Sequence, residues 1–445
     1  MSELFALPAM ASADGIRRGL FSSVELVQSC LDRISKTDHQ IGAWAFLDPD
    51  LALGQARTLD ERRSRGLAVG PLHGVPVGIK DIFDTADMPT AYGSPIYSRR
   101  RPGSDCTAVS RLREAGAVIM GKTVTTEFAF MAPAQTQNPH RAGHTPGGSS
   151  SGSAAAVAAQ HVPLAVGSQS NGSVIRPASF CGVYGLKPSY GLISRSGVLH
   201  TSDRLDQVGV FARSLEDTAL VTDQLTGFDN GDGATEATPK PVLTDGYHET
   251  VPVEPRLAFL STGYDHRLCD DTRSGLDELR KALEPYSELV DLPESYVNLI
   301  EHHKVIYESD IRASLADSLS AHSDAISPQM TDALARAETY PAQAYSSAQS
   351  ATALAKGFFA ELFHDYDAII AASTPGEAPA TLEQTGDPVF CTIWTLIGLP
   401  CLSLPILVGA TGLPIGVQLI GGREEDARLM RTAHWLEQQI SDSNS

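Results

Sequence analysis

The stretch from His144 to Tyr190 carries the reading of this chain. It opens His144-Thr145-Pro146-Gly147-Gly148-Ser149-Ser150-Ser151-Gly152-Ser153-Ala154-Ala155-Ala156-Val157-Ala158-Ala159. It continues through Gly167-Ser168-Gln169-Ser170-Asn171-Gly172-Ser173-Val174-Ile175-Arg176-Pro177-Ala178 and closes on Cys181-Gly182-Val183-Tyr184-Gly185-Leu186-Lys187-Pro188. Two turns here are dense in glycine and serine, and each borders regular structure. The small residues of 151–159 predict a helix that packs closely, and 164–166 a short strand. Glycine lets the main chain take positive φ and lets a ligand approach it. Unpaired N–H groups in such a turn form a nest for an anion. A hydroxyl beside that nest offers the two parts of acyl transfer, a nucleophile and an oxyanion hole.

A serine hydroxyl is a weak nucleophile and needs a base close by. Outward from the serines, Val75, Val77 and Ile79 alternate as in a strand and deliver Lys80-Asp81 at its end. A lysine buried by such a strand has a depressed pKa, because a low dielectric disfavours its charge, and it can then act as a general base.

The rest of the chain supplies the frame. Ser22, with Glu25 three residues on, forms a capping box, and Val24, Val27, Leu31 and Ile34 recur at helical spacing, predicting a helix over 23–35. Asp105 stands where it could cap a helix carrying Val109 and Leu112, ahead of a strand at 117–120. The segment 228–251 loses periodicity, gains Gly, Asp, Thr and Pro, and reads as a surface loop. Beyond it come a strand at 257–260, a helix at 274–283, a mostly helical stretch to 364, strands at 368–371, 402–407 and 416–420, and a last helix with Leu429, Ala433, Leu436 and Ile440 on one face. Strands alternating with helices predict an α/β fold in a single domain over 1–445, with a mixed, largely parallel central sheet flanked by helices.

Composition narrows the function. Of 445 residues, 42 % are apolar and 20 % charged, the proportions of a folded globular chain. A net charge of −19 argues against nucleic acid as a partner and gives no attraction to an anionic membrane. No apolar run reaches the ~18–20 residues of a membrane span. Residues 4–13 are apolar but follow Met1-Ser2-Glu3, with no basic residue, so no secretory signal is read there. The six cysteines show no CxxC spacing and read as free thiols, which places the chain in the cytoplasm.

Taken together, these motifs resemble the amidase signature family of hydrolases. The likeness covers Gly74-Val75-Pro76-Val77-Gly78-Ile79-Lys80-Asp81, the Gly/Ser core, Leu396-Ile397-Gly398-Leu399-Pro400, and Gly412-Leu413-Pro414-Ile415-Gly416-Val417-Gln418-Leu419-Ile420-Gly421. The part 252–367 is similar only loosely and reads as the variable, specificity-determining part. The resemblance implies a Ser-cisSer-Lys triad with no metal and no organic cofactor. In it, Lys80 matches the base, Ser149 the relay serine after a cis peptide bond, and Ser173 the acylated nucleophile. Main-chain N–H groups of Ser170, Asn171, Gly172 and Ser173 match the oxyanion hole. Two departures stand out against the commoner Thr-Asp-Thr-Gly-Gly-Ser-Ile-Arg: Gln169 replaces Asp, and Asn171 replaces the first Gly. Arg176 falls three residues after the nucleophile instead of two, as in malonamidase-type and related small free-standing amidases, where it is expected to bind a substrate carboxylate. These departures count against a glutamine-specific amidotransferase subunit.

The expected reaction is hydrolysis of the C–N bond of an amide or carbamate, of urethane or anilide type, with esterase side activity allowed. Phe128, Phe130, Met131 and Trp394 suggest an apolar pocket wall, with Arg176 structural and the substrate neutral. Three competing readings stand beside it. Gly148-Ser149-Ser150-Ser151-Gly152 also fits the GxSxG elbow of α/β-hydrolases, with Ser150 as nucleophile, but that motif needs a strand before it and 143–147 does not read as one. An amidotransferase-like subunit is the second. A pseudo-amidase scaffold is the third, and the retained triad opposes it. Glu301-His302-His303 lacks metal-ligand spacing and reads as surface or packing histidines. Cys181 reads as a packing residue, and Asp81 and Asp206 either orient the lysine and serines or cap turns. For assembly, a homodimer is left open.

Overall fold

Val77, Gly78 and Ile79 run parallel to Leu164, Ala165 and Val166 on one side and to the strand beginning at Val118 on the other. All three strands are buried on both faces. That explains their apolar and small residues, because a strand covered twice has no solvent face to mark with polar side chains. The computed structural model describes residues 3–296 and 298–443; Met1 and Ser2, part of the N-terminal reading, lie outside them.

Among the described residues, eleven strands form one sheet: β1 (Trp44–Leu47), β2 (Pro76–Lys80), β3 (Val118–Thr123), β4 (Leu164–Gln169), β5 (Tyr184–Lys187), β6 (Gln207–Ala212), β7 (Leu257–Ser261), β8 (Ser287–Asp291), β9 (Ala368–Ala372), β10 (Cys401–Val408) and β11 (Pro414–Ile420). Their spatial order is β1-β3-β2-β4-β6-β5-β10-β11-β9-β7-β8. The sheet is mixed, as expected, but not largely parallel. Only β2–β3, β2–β4, β7–β8 and β7–β9 pair in parallel; the other six pairs are antiparallel. The reason is visible at β6, which inserts antiparallel between β4 and β5, and at the hairpin of β10 with β11. Helix–strand alternation along a chain does not show which strands return beside their predecessor.

The first predicted helix forms over Ser23–Ile41, with both halves of the capping box made and Gly42 ending it in the left-handed region. Asp105 does not cap the helix Thr107–Glu114. Its carboxylate instead accepts from Ala86 N and Arg113 Nε. The segment 228–251 contains a short helix, Leu243–His248, so it is not wholly loop. Within the stretch read as helical, β8 closes the sheet edge. The helices Leu299–Ser320, Pro328–Thr339 and Ala342–Asp365 build a layer whose apolar side chains join one core with Trp394. The Ala-rich helix Ser151–Ala158 lies so close to the sheet that a Cβ at Gly152 would sit 2.3 Å from Ala43 O and from Val124 N. Among the described residues no helix is long and apolar enough to cross a membrane.

Candidate active site

β2 and β4 run parallel, so Lys80, at the end of one, meets Ser168, near the end of the other. The Lys80 side chain is fully buried. Its Nζ donates to Ser149 Oγ at 2.7 Å and to Ser168 Oγ at 2.8 Å. Burial holds its pKa well below lysine's ordinary value, and the nearby charge of Asp206 pushes the other way. With the charged form disfavoured by desolvation, Lys80 is available to accept a proton. Ser149 follows a cis peptide bond from Gly148 and is itself buried.

Ser173 lies just ahead of the helix Ile175–Cys181 and borders a cavity of about 400 Å3. Gln169, at the end of β4, serves the N-terminus of that helix: its Oε1 accepts from Val174 N at 2.8 Å and Ile175 N at 3.0 Å. Among the described residues, the N–H groups of Asn171, Gly172 and Ser173 make no hydrogen bond. Unpaired donors clustered beside a serine hydroxyl can receive the charge of a tetrahedral intermediate. Asp206 stands behind this turn. Its Oδ1 accepts from Ser170 Oγ (2.5 Å) and Thr201 Oγ1 (2.7 Å), and its Oδ2 from the N–H groups of Thr201 and Ser202. Asp81, the other carboxylate considered, turns away to Ala91 N and to Lys122, 3.4 Å distant.

The remaining expectations divide. Arg176 lines the cavity beside Ser173 and is buried. Its Nη atoms donate to Gly386 O (2.9 Å), Gly148 O (2.7 Å) and Thr385 Oγ1 (3.1 Å), while its Nε has no partner among the described residues. Burial lowers its pKa to about 10. Met131 is on the cavity wall and exposed. Phe130, also expected on the wall, does line the cavity, whereas Phe128 and Trp394 do not: both are fully buried, Trp394 edge-on against Phe359. The apolar character of Phe128 and Trp394 marked core, not a binding surface. Ser150 is shut away from the cavity, its Oγ hydrogen-bonded to the main chain of Ser168, and the residues immediately before it are not a strand. Cys181 is buried and its thiol is pushed up by desolvation.

Sequence reasoning took His303 for a surface or packing histidine and passed over Tyr307. They stand one turn apart on the helix Leu299–Ser320, buried, against the cavity. His303 Nε2 lies 2.7 Å from Ser170 O. Spacing alone offered one faint signal, two polar rings four residues apart on an otherwise loosely matching helix. The cavity also receives Lys304 and two neutralised cations, Arg267 with Asp387 (3.0 Å) and Arg336 with Glu308 (2.6 Å).

Comparison with known proteins agrees with this geometry. A family model described as Amidase matches residues 25–430. The chain is 33 % identical over 477 residues to a subunit of the glutamyl-tRNA(Gln) amidotransferase of Natranaerobius thermophilus, covering 98 % of this chain and 96 % of that one. It is 35 % identical to the corresponding subunit from Anaeromyxobacter sp. (strain K), covering 98 % and 97 %. Among solved structures it matches, at TM-score 0.91 and 29 % identity over 98 % of both chains, one described as "An unexpected vestigial protein complex reveals the evolutionary origins of an s-triazine catabolic enzyme". It also matches peptide amidase from Stenotrophomonas maltophilia, at TM-score 0.84 and 28 % identity over 98 % of this chain and 97 % of that one. With a likeness that runs from end to end in both sequence and fold, the chain belongs to the amidase family, enzymes that act on carbon–nitrogen bonds.

Proposed function

We propose that the protein hydrolyses small linear amides through an acyl-enzyme on Ser173, with Ser149 and Lys80 moving the proton. The observation that carries this reading is the 2.7 Å contact from buried Lys80 Nζ to Ser149 Oγ, behind a serine that borders the cavity. In the first half, Ser173 Oγ attacks the carbonyl carbon and its proton passes to Ser149, whose own proton goes to neutral Lys80. The negative oxygen is received by main-chain N–H groups of the 170–173 turn. As the intermediate collapses, the proton returns through Ser149 to the leaving nitrogen, and the C–N bond breaks. Water then attacks the acyl group by the same relay, releasing the acid and Ser173. No hydrogen bond joins Ser149 to Ser173 among the described residues of the free protein; catalytic contacts of this kind commonly tighten when substrate binds.

Within that class, the reading extends to neutral amides and carbamates, including urethanes and anilides. Arg176 spends its Nη atoms on main-chain carbonyls and Thr385, and Arg267 and Arg336 face carboxylates of the same wall. Phe130, Met131, Ile300 and Val389 add apolar surface. A second reading, an amidotransferase component that uses glutamine within a larger assembly, is favoured by the names of the sequence relatives. The free cysteines support placement in the cytoplasm.

One experiment tests both levels. The purified protein is assayed on primary amides, anilides, carbamates, a malonamate-like acid and glutamine, and a fluorophosphonate-treated sample is mapped by mass spectrometry. Label on Ser173 with turnover of neutral amides or carbamates is expected. Label on Ser150, or no label with full activity, overturns the acyl-enzyme. Turnover confined to glutamine selects the second reading.

A further inference from the structure

We infer that His303 is a positioning residue for the oxyanion hole: from the variable helical layer it fixes the peptide plane whose N–H receives the developing charge. This rests on the acyl-enzyme reading above. Two carbonyls precede the unpaired donors, and both are tied down. Ser170 O is held by His303 Nε2 at 2.7 Å, and Asn171 O by Thr395 Oγ1 at 2.5 Å. A carbonyl oxygen can only accept, so His303 presents Nε2–H to it, and burial keeps the ring neutral, with a pKa lowered to about 4.

Both peptide groups are trans, since among the described residues the cis bond is Gly148–Ser149. In a trans peptide the N–H points opposite to the C=O. Tying Ser170 C=O to the helix Leu299–Ser320 therefore turns Asn171 N–H away from that helix. Tying Asn171 C=O to the helix Val389–Ile397 does the same for Gly172 N–H. Those N–H groups are the ones left without partners, next to Ser173. Val174 N and Ile175 N, by contrast, are already consumed by Gln169. His303 itself is 2 % exposed and packed against Tyr307. A rigid donor fixed before substrate arrives needs no reorganisation during the reaction, which is the source of oxyanion-hole catalysis.

The test compares His303→Leu, which removes the donor, with His303→Gln, whose amide can still donate. Each is measured for kcat and KM on the best substrate of the panel, and for binding of a small aldehyde or boronic acid that forms a tetrahedral adduct with serine. His303→Leu is expected to lose about 10- to 100-fold in kcat, less than full loss of an oxyanion donor. Its KM should stay within about twofold, and adduct affinity should fall by the same factor as kcat. His303→Gln should recover most of the loss. If Leu and Gln are equally impaired, if the loss lies in KM alone, or if adduct affinity is unchanged, the inference is overturned. Should His303→Leu not fold, Thr395→Val, which frees the second carbonyl, must show the same joint loss of kcat and adduct affinity. Failure of the acyl-enzyme itself would appear separately, as an active Ser173→Ala.

Discussion

Gln169 Nε2 donates to Thr395 Oγ1 at 2.9 Å while its Oε1 takes the N–H groups of Val174 and Ile175. One amide thus joins the end of β4, the start of the helix that follows Ser173 and the helix Val389–Ile397. An aspartate, as in the commoner family pattern, is one methylene shorter and has no N–H to offer Thr395.

Gln169→Ala leaves two buried N–H groups without an acceptor. The expected destabilisation is about 1–3 kcal/mol, read from chemical denaturation, with kcat falling as the turn loosens. A variant as stable and active as the parent would show that this amide is not the brace.

Lys80 sets the pH dependence. In the proposed relay its neutral form is the base, so activity is expected to rise with pH as the ammonium gives up its proton, along a limb lying below lysine's ordinary value. Lys80→Met and Lys80→Arg should both lose on the order of 10⁴-fold or more in kcat, arginine because its guanidinium stays protonated. Near-normal activity in Lys80→Arg contradicts the relay. The same burial affects stability: the folded chain binds this proton less readily than the unfolded chain, so stability from this group increases as pH rises from the lowered folded value to the ordinary one. Lys80→Met removes that part of the stability profile.

Asp206 holds the Lys80 pKa up through its charge. Asp206→Asn removes the charge and should move the ascending limb of the kcat/KM profile to lower pH. A shift to higher pH, or none, would place the influence of Asp206 elsewhere.

How much of this was legible follows from what periodicity records. Lys80 could be read because Val75, Val77 and Ile79 deliver it at a strand end, and the glycine–serine turns because so many small residues together fit a tight turn or a close approach and little else. Phe128 and Trp394 could not be assigned, since an aromatic ring has the same apolar signature in a core as in a pocket wall. The antiparallel insertion of β6 and the strand β8 depend on neighbours distant in the chain, which local pattern does not contain. His303 was read as a surface or packing residue for the same reason: its partner, Ser170 O, is a main-chain atom 133 residues away.

Arg176→Gln separates brace from specificity. The contacts to Gly148 O, Gly386 O and Thr385 Oγ1 predict that all substrates suffer together and that stability drops by about 1–3 kcal/mol. A steep rise in KM for acidic amides alone, with unchanged melting, would instead assign the free Nε to a substrate carboxylate.

Gly152→Ala drives a methyl into Ala43 O and Val124 N, both main-chain atoms that cannot swing aside. Destabilisation of at least about 1–3 kcal/mol, seen as an earlier thermal transition, is expected.

The helix Leu299–Ser320 contributes both His303 and the wall residues Lys304, Tyr307 and Glu308. On the proposed mechanism, substrate choice and reaction rate are therefore inherited together along this helix. A laboratory library that randomises it to admit new amides will mix changes of fit with changes of turnover, and its winners will be hard to interpret one trait at a time. Met131, exposed on the cavity rim, is the place to begin such a library, because there the fit can be varied while the peptide planes beside Ser173 stay where they are.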